Sequence, residues 1–229
     1  MAPARSCASP PTSPQPGSVR APSVLRGVYR RLAPWYDRLV PLVSSEARAL
    51  GRAWLAVRDG ERVLDVGTGT GLALSPLARA NPRGWTVGVD LTPAMLRRAR
   101  ARMAGTGHTR YALHRAEAGA LPFSADTFDA VYSSYLIDVL PRPHIRRALA
   151  EMRRVLRPGG RLVLVYLAPP DRLGGRFWAS LARRVPHLFG GARPVDVRPP
   201  LRRVGFSVER TTTRSQFGLQ SGITHARAG

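Results

Sequence analysis

The sequence predicts an α/β fold built on an open, mostly parallel sheet with helices on both faces. Three observations carry this. Short apolar runs rich in β-branched residues alternate with helix-length segments. The first run opens into the turn Gly67-Thr68-Gly69-Thr70-Gly71, which leads straight into helix-compatible Leu72-Ala73-Leu74. An acid closes each of the first two runs, Asp65 and Asp90.

Residues 1–22 are rich in Pro, Ser, Ala and Arg, and no acid precedes Asp37. Such a segment cannot bury enough surface to order itself and reads as a flexible tail. Residues 23–60 read as an N-terminal helical cap, with one helix over 24–32 and a second from Ser44, a suitable N-cap, to 57. The main domain spans 61–229. After the first strand and the glycine turn, a helix over 72–80 is stopped by Asn81-Pro82-Arg83-Gly84. The second strand, 85–89, ends at Asp90; Thr92 as N-cap and Pro93 at the first helical position then open a helix reaching about Ala104. Residues 111–114 and 128–134 form the third and fourth strands. The amphipathic stretch 143–156 is a helix closed by the turn Arg157-Pro158-Gly159-Gly160, which feeds a buried strand over 161–167. Residues 168–198 are longer than a crossover needs. They carry Phe177-Trp178-Ala179-Ser180-Leu181 between Gly174-Gly175 and Gly190-Gly191, a pattern of a lid with glycine hinges. Gly205-Phe206 starts one more strand, and 217–226 the last.

A chain of 229 residues suffices for one such domain and a small accessory element. All 36 basic residues are arginine against 14 acids, a net charge of +22. Such a surface favours nucleic acid, anionic lipid or acidic protein, or is a solvated face without a specific polyanion. The lone Cys7 offers neither a disulfide nor a cysteine-based metal site, and no metal is expected. No apolar run approaches the roughly 18 residues of a membrane span, so the expectation is a cytoplasmic protein, either soluble or in peripheral contact with an anionic membrane.

The glycine turn decides the ligand. Counting from Gly67 or Gly69, the dinucleotide spacing Gly-x-Gly-x-x-Gly meets Leu72 or Leu74, and a phosphate loop needs a lysine that the chain lacks. Asp65 would repel a pyrophosphate and attract an ammonium. Asp90, about 20 residues beyond Gly71, is placed to accept from both ribose hydroxyls. A cationic or amphoteric ligand with a ribose fits both acids.

The motif Asp65-x-Gly67-x-Gly69-x-Gly71 with Asp90 downstream resembles the class I S-adenosylmethionine-dependent methyltransferases. Further matches follow in the family's order: Ala116-Glu117-Ala118 to Leu121-Pro122-Phe123, Phe128-Asp129-Ala130-Val131, Glu151 to Gly160, and Gly205-Phe206. The resemblance covers residues from about 60 to 210. It implies a Rossmann-like seven-stranded methyltransferase sheet whose last strand is antiparallel, and S-adenosyl-L-methionine as cofactor. It places Asp65, Gly67, Thr68, Gly69 and Gly71 around the methionyl part and Asp90 on the ribose. Leu91 and Met95 flank the adenine or are plain core; Glu117 and Ala118 meet the adenine amino group, and Ser133 completes the pocket. The family usually has Asp where Glu117 stands, one methylene shorter. Ala33-Pro34-Trp35-Tyr36-Asp37 resembles an element preceding the core in the quinone-biosynthesis C-methyltransferases. That resemblance sets Tyr36 over the cofactor, the alternative being aromatic anchoring of the cap.

The methyl acceptor is less determined. Enzymes that methylate exocyclic base amines carry Asn/Asp-Pro-Pro-aromatic after the fourth strand, where this chain has Ser133-Ser134-Tyr135-Leu136. Cytosine C5 chemistry needs a cysteine that Cys7 does not supply. A small apolar or amphiphilic acceptor, quinone-like, phenolic or a lipid headgroup, leads; an RNA methyltransferase, favoured by charge, and a non-catalytic cofactor-binding scaffold are the alternatives. In-line transfer from a sulfonium needs no obligatory catalytic residue. If a base assists, Tyr135, Asp138 and His144 are the candidates.

Overall fold

The computed structural model describes residues 44–169, 192–216 and 219–229. The tail, the first cap helix, Tyr36 and the body of the expected lid lie outside the described residues. Seven strands, β1 (Arg62–Val66), β2 (Trp85–Asp90), β3 (Tyr111–Arg115), β4 (Phe128–Ser134), β5 (Leu156–Leu167), β6 (Phe206–Gln216) and β7 (Leu219–Ala228), form one sheet in the order β3-β2-β1-β4-β5-β7-β6. The pairings from β3 through β5 are parallel, and β7 is antiparallel to both β5 and β6. The strand order reverses between β1 and β4. In an open α/β sheet a ligand crevice forms at such a switch point, beyond the carboxyl ends of the strands.

Side chains alternate across a strand, so β1 serves two cores. Leu64 and Val66 join a cluster with Ile145, Leu149 and Met152 of α4 (Arg142–Val155). Val63 faces the other way, into a cluster with Ala47 and Leu55 of a helix over residues 44–55, α1, and Leu77 of α2 (Leu74–Arg79). Met103 of α3 (Pro93–Ala104) packs with Leu74 and Ala78. Asp65, two residues after Val63, therefore points to the α1 face, and it pairs in register with Tyr132 of β4.

Gly51 brings α1 onto the sheet. A Cβ there would lie 2.6 Å from Val165 and 3.3 Å from the Tyr132 ring. A glycine inside a helix costs about 0.5–1 kcal/mol relative to alanine, and here it permits direct contact of helix and strands. Two polar links hold the arrangement. The Tyr132 hydroxyl donates to the Arg48 carbonyl at 3.3 Å, and Arg161 of β5 donates to the Leu55 carbonyl at 2.9 Å while pairing with Glu61 at 2.6 Å.

Several local expectations are corrected. Ser44 is already helical rather than the N-cap of α1. The helix after the glycine turn begins at Leu74, not Leu72: the Gly71 N–H still bonds back to Thr68 within the turn, and Gly71 holds a φ of +80°, outside the helical range. Thr92 sits at the N-cap of α3 without a side-chain bond to the helix. Arg157 to Gly160 do not simply close α4. Leu156 already pairs with Phe128, the chain bulges with Gly159 at φ +71°, and pairing resumes at Arg161 opposite Ala130.

Candidate active site

The crevice at the end of β1 is walled by the glycine turn. Gly67, Gly69 and Gly71 all adopt positive φ, +73°, +55° and +80°. A Cβ at Gly71 would lie 3.2 Å from the Ala99 backbone of α3, whereas one at Gly69 would meet nothing within 4 Å. Gly71 thus packs the turn on the fold, and Gly69 lines open space. Alanine at either position pays the left-handed strain of about 1–2 kcal/mol. Gly71→Ala, with strain and a backbone clash together, is expected to melt lower than Gly69→Ala, which carries the strain alone and loses about tenfold or more in cofactor affinity by calorimetry. Equal affinity in Gly69→Ala and wild type would show that the turn does not hug a ligand.

Asp65 is buried, and Thr68 donates its hydroxyl to Oδ2 at 2.7 Å. Its Oδ1 has no hydrogen-bond partner. Burial pushes the carboxyl up to about 7, against the Thr68 bond, which lowers it, and with the Asp90 charge raising it further. An unpaired buried carboxylate oxygen is costly and calls for a cationic donor.

Asp90 closes β2, partly buried, with its carboxyl raised by burial. Both oxygens already accept backbone amides, Oδ2 from Gly69 at 3.0 Å and Oδ1 from Thr92 at 2.8 Å. The acid read from the sequence as a ribose partner also fastens the tip of the glycine turn. Each carboxylate oxygen has a second lone pair, so ribose hydroxyls and these amides can be served together. Leu91 beside it is half-buried, and Met95 is buried.

On the β3 side, the Ala116 amide donates to the Asp90 carbonyl at 3.2 Å, which sets the Glu117-Ala118 turn next to β2. Glu117 Oε1 lies 3.7 Å from Nδ1 of His144, in the first turn of α4. The longer carboxylate thus reaches a histidine, and His144 answers Glu117 in its position at the head of α4.

At the end of β4 the Ser133 hydroxyl donates to the Val66 carbonyl at 2.8 Å, tying β4 to β1. Tyr135 follows at φ +54°, a strained value for a side-chain-bearing residue, of the kind that clusters at functional sites. Its amide donates to Val165 at 2.7 Å, its hydroxyl shares a 2.8 Å bond with Ser221 of β7, and burial raises its phenol. A phenol held protonated is a donor, not a base. Asp138, three residues on, is buried with Oδ1 unpartnered. Burial pushes it up to about 7, opposed by its own amide and that of Leu167 and by the charges of Arg193 and Arg48.

The structure adds residues that the sequence reading passed over, Arg48 and Arg52 of α1. Both exert their charge on Asp65 and on Tyr132. The legible signal was their spacing: Ser44, Arg48 and Arg52 recur every fourth residue, beside the core-facing Ala47, Gly51 and Leu55.

A switch point with an unsatisfied acid at the end of β1 and a ribose-compatible acid at the end of β2 fits a nucleoside ligand that carries a cationic group. A methyltransferase-domain family profile matches residues 63–160. A ubiquinone/menaquinone biosynthesis C-methyltransferase of Syntrophotalea carbinolica is 36% identical over 88% of this chain and 86% of its own length. One of Geobacter sulfurreducens is 37% identical over 73% and 67%. The crystal structure of magnesium protoporphyrin IX methyltransferase from Synechocystis, with bound S-adenosylhomocysteine, has the same fold at TM-score 0.71 and 18% identity, over 90% of this chain and 99% of that one. The chain belongs to the class I S-adenosylmethionine-dependent methyltransferases, and S-adenosyl-L-methionine is its cofactor. Among the described residues no helix is long and apolar enough to cross a membrane, and no group of three His, Cys, Asp or Glu is placed to hold a metal.

Proposed function

We propose that the enzyme methylates a ring carbon of a quinone-type acceptor in its reduced, hydroquinone form. The observation that carries this reading is the similarity to the Syntrophotalea protein, named a ubiquinone/menaquinone biosynthesis C-methyltransferase, across most of both chains. Bound S-adenosylmethionine supplies an electrophilic methyl group on a sulfonium whose leaving group is neutral. Oδ1 of Asp65 takes the methionyl ammonium, Asp90 takes the ribose hydroxyls, and the open face of the turn at Gly69 shapes the methionyl subsite. Leu91 and Met95 flank the adenine, and Glu117, steadied by His144, accepts from its amino group with the Ala118 turn beside it.

Carbon methylation of an aromatic ring differs from O- or N-methylation in one demand: a ring C–H proton must leave. Asp138 is suited to take it, being buried at the carboxyl end of the sheet, with a free oxygen and a carboxyl close to neutrality. Tyr135 holds its hydroxyl toward Ser221 and acts as donor and wall. A net charge of +22 favours approach to an anionic bilayer in which a prenylated acceptor resides, at about 1 kcal/mol per arginine near the surface. Incubation with methyl-labelled cofactor and a reduced demethylated naphthoquinone should give a product whose label sits on a ring carbon, read by mass spectrometry and NMR. Label on oxygen, or only in an RNA fraction, would defeat the reading.

A further inference from the structure

The Arg48 side chain has so far been described only through its charge, yet its place is unusual. It is buried, at 6% exposure, and an arginine guanidinium stays charged at every physiological pH. Its guanidinium carbon lies over the Tyr135 ring, 5.1 Å from the centroid. A buried cation is expensive unless opposite charge or acceptors complete it. Its charge acts on Asp65, Tyr132, Tyr135 and Asp138. Both acids keep one oxygen unpartnered. Arg48 is thus the shared positive neighbour of Asp65 and Asp138, and it carries a planar fork of donors.

Such a fork is matched by an oxyanion. Two oxyanions can arise here, the methionyl carboxylate and an ionised ring oxygen of the acceptor. Tyr135, on which the guanidinium rests, and Asp138 both belong to the segment after β4, on the side assigned to the acceptor. We propose that Arg48 binds the ionised phenolic oxygen of the acceptor, next to the carbon that is methylated. This rests on the reading that the acceptor is a hydroquinone or other phenol. The phenolic proton leaves to solvent on binding. The ring carbon supplies the electron pair of the new C–C bond while the C–S pair remains on sulfur. The ring C–H proton passes to the Asp138 carboxylate, and the electron pair it leaves restores the aromatic phenolate on Arg48. Atoms and charge balance without an oxidant or reductant.

The test uses the full chain saturated with S-adenosylhomocysteine and the dye para-nitrophenol, whose phenolate alone is coloured. On the wild type the bound dye should ionise about one pH unit lower than free dye, the lower end of the effect of a close arginine on an acid. Arg48→Gln should abolish that shift while homocysteine-cofactor affinity, measured by calorimetry, stays unchanged and certifies the fold. Arg48→Lys should keep a smaller shift, since an ammonium retains the charge but not the fork. Should Arg48→Gln not fold, identical dye ionisation on wild type and Arg48→Lys would overturn the proposal. So would a shift that persists in Arg48→Gln, or no binding of the dye to the wild type. A loss of about tenfold or more in S-adenosylhomocysteine affinity with Arg48→Gln would reassign the fork to the methionyl carboxylate. A dye shift that depends on Arg48, together with no transfer to any hydroquinone, would leave the oxyanion subsite standing and remove the quinone reading.

Discussion

Asp138→Asn is expected to slow methyl transfer to a hydroquinone by about 100- to 10,000-fold, the range for loss of a general base, with cofactor affinity little changed. Asparagine is isosteric and cannot accept the ring proton. The pH profile should carry the same signature. With its carboxyl pushed up to about 7, Asp138 is a competent base only when ionised, so the wild-type rate should fall as pH drops below about 7. Asp138→Asn should lose that acidic limb. Stability should move the other way. A carboxyl raised from 3.8 to about 7 binds its proton more tightly in the folded than in the unfolded chain. Its contribution is therefore fully present below about pH 4 and is lost as pH rises through about 7. The ligand-free wild type should melt lower across that window, and Asp138→Asn should flatten the decline. Unchanged kinetics in Asp138→Asn would place the base elsewhere.

Asp65→Asn is expected to weaken S-adenosylmethionine binding by about 30-fold or more, because truncating one member of a buried hydrogen-bonded charge pair costs about 2–5 kcal/mol. A second signature separates this from simple misfolding. In the ligand-free protein Asp65, pushed up to about 7, carries a proton for much of the time near neutrality. An ammonium at Oδ1 favours the ionised form, so binding should release a proton below and around pH 7. Calorimetry in buffers of different ionisation enthalpy should report that release in the wild type and its loss in Asp65→Asn. The same proton count for both proteins would mean that Asp65 does not meet the ammonium.

Much of this architecture was legible along the chain because the signals are local. The alternation of apolar runs, the acid closing β1, the three glycines at positive φ and Asp90 at the end of β2 each follow from the conformational demands of a few neighbouring residues. The family resemblance rests on the same short stretches. Boundaries were less secure where the backbone satisfies its own bonds, as in the turn before α2 and the bulge at Arg157 to Gly160, since these depend on pairing with distant strands.

By itself the sequence determined the sheet, the glycine turn and the two acids expected to meet a nucleoside cofactor. Only the tertiary structure decided what Asp138, Tyr135, His144 and Arg48 face. His144 meets Glu117 because α4 starts beside the loop after β3. Arg48 meets Tyr135 because Gly51 lets α1 lie against Val165 and Tyr132. Those encounters join residues far apart in the chain, and their geometry is set by close packing of a helix on a sheet, which no local pattern of residues encodes.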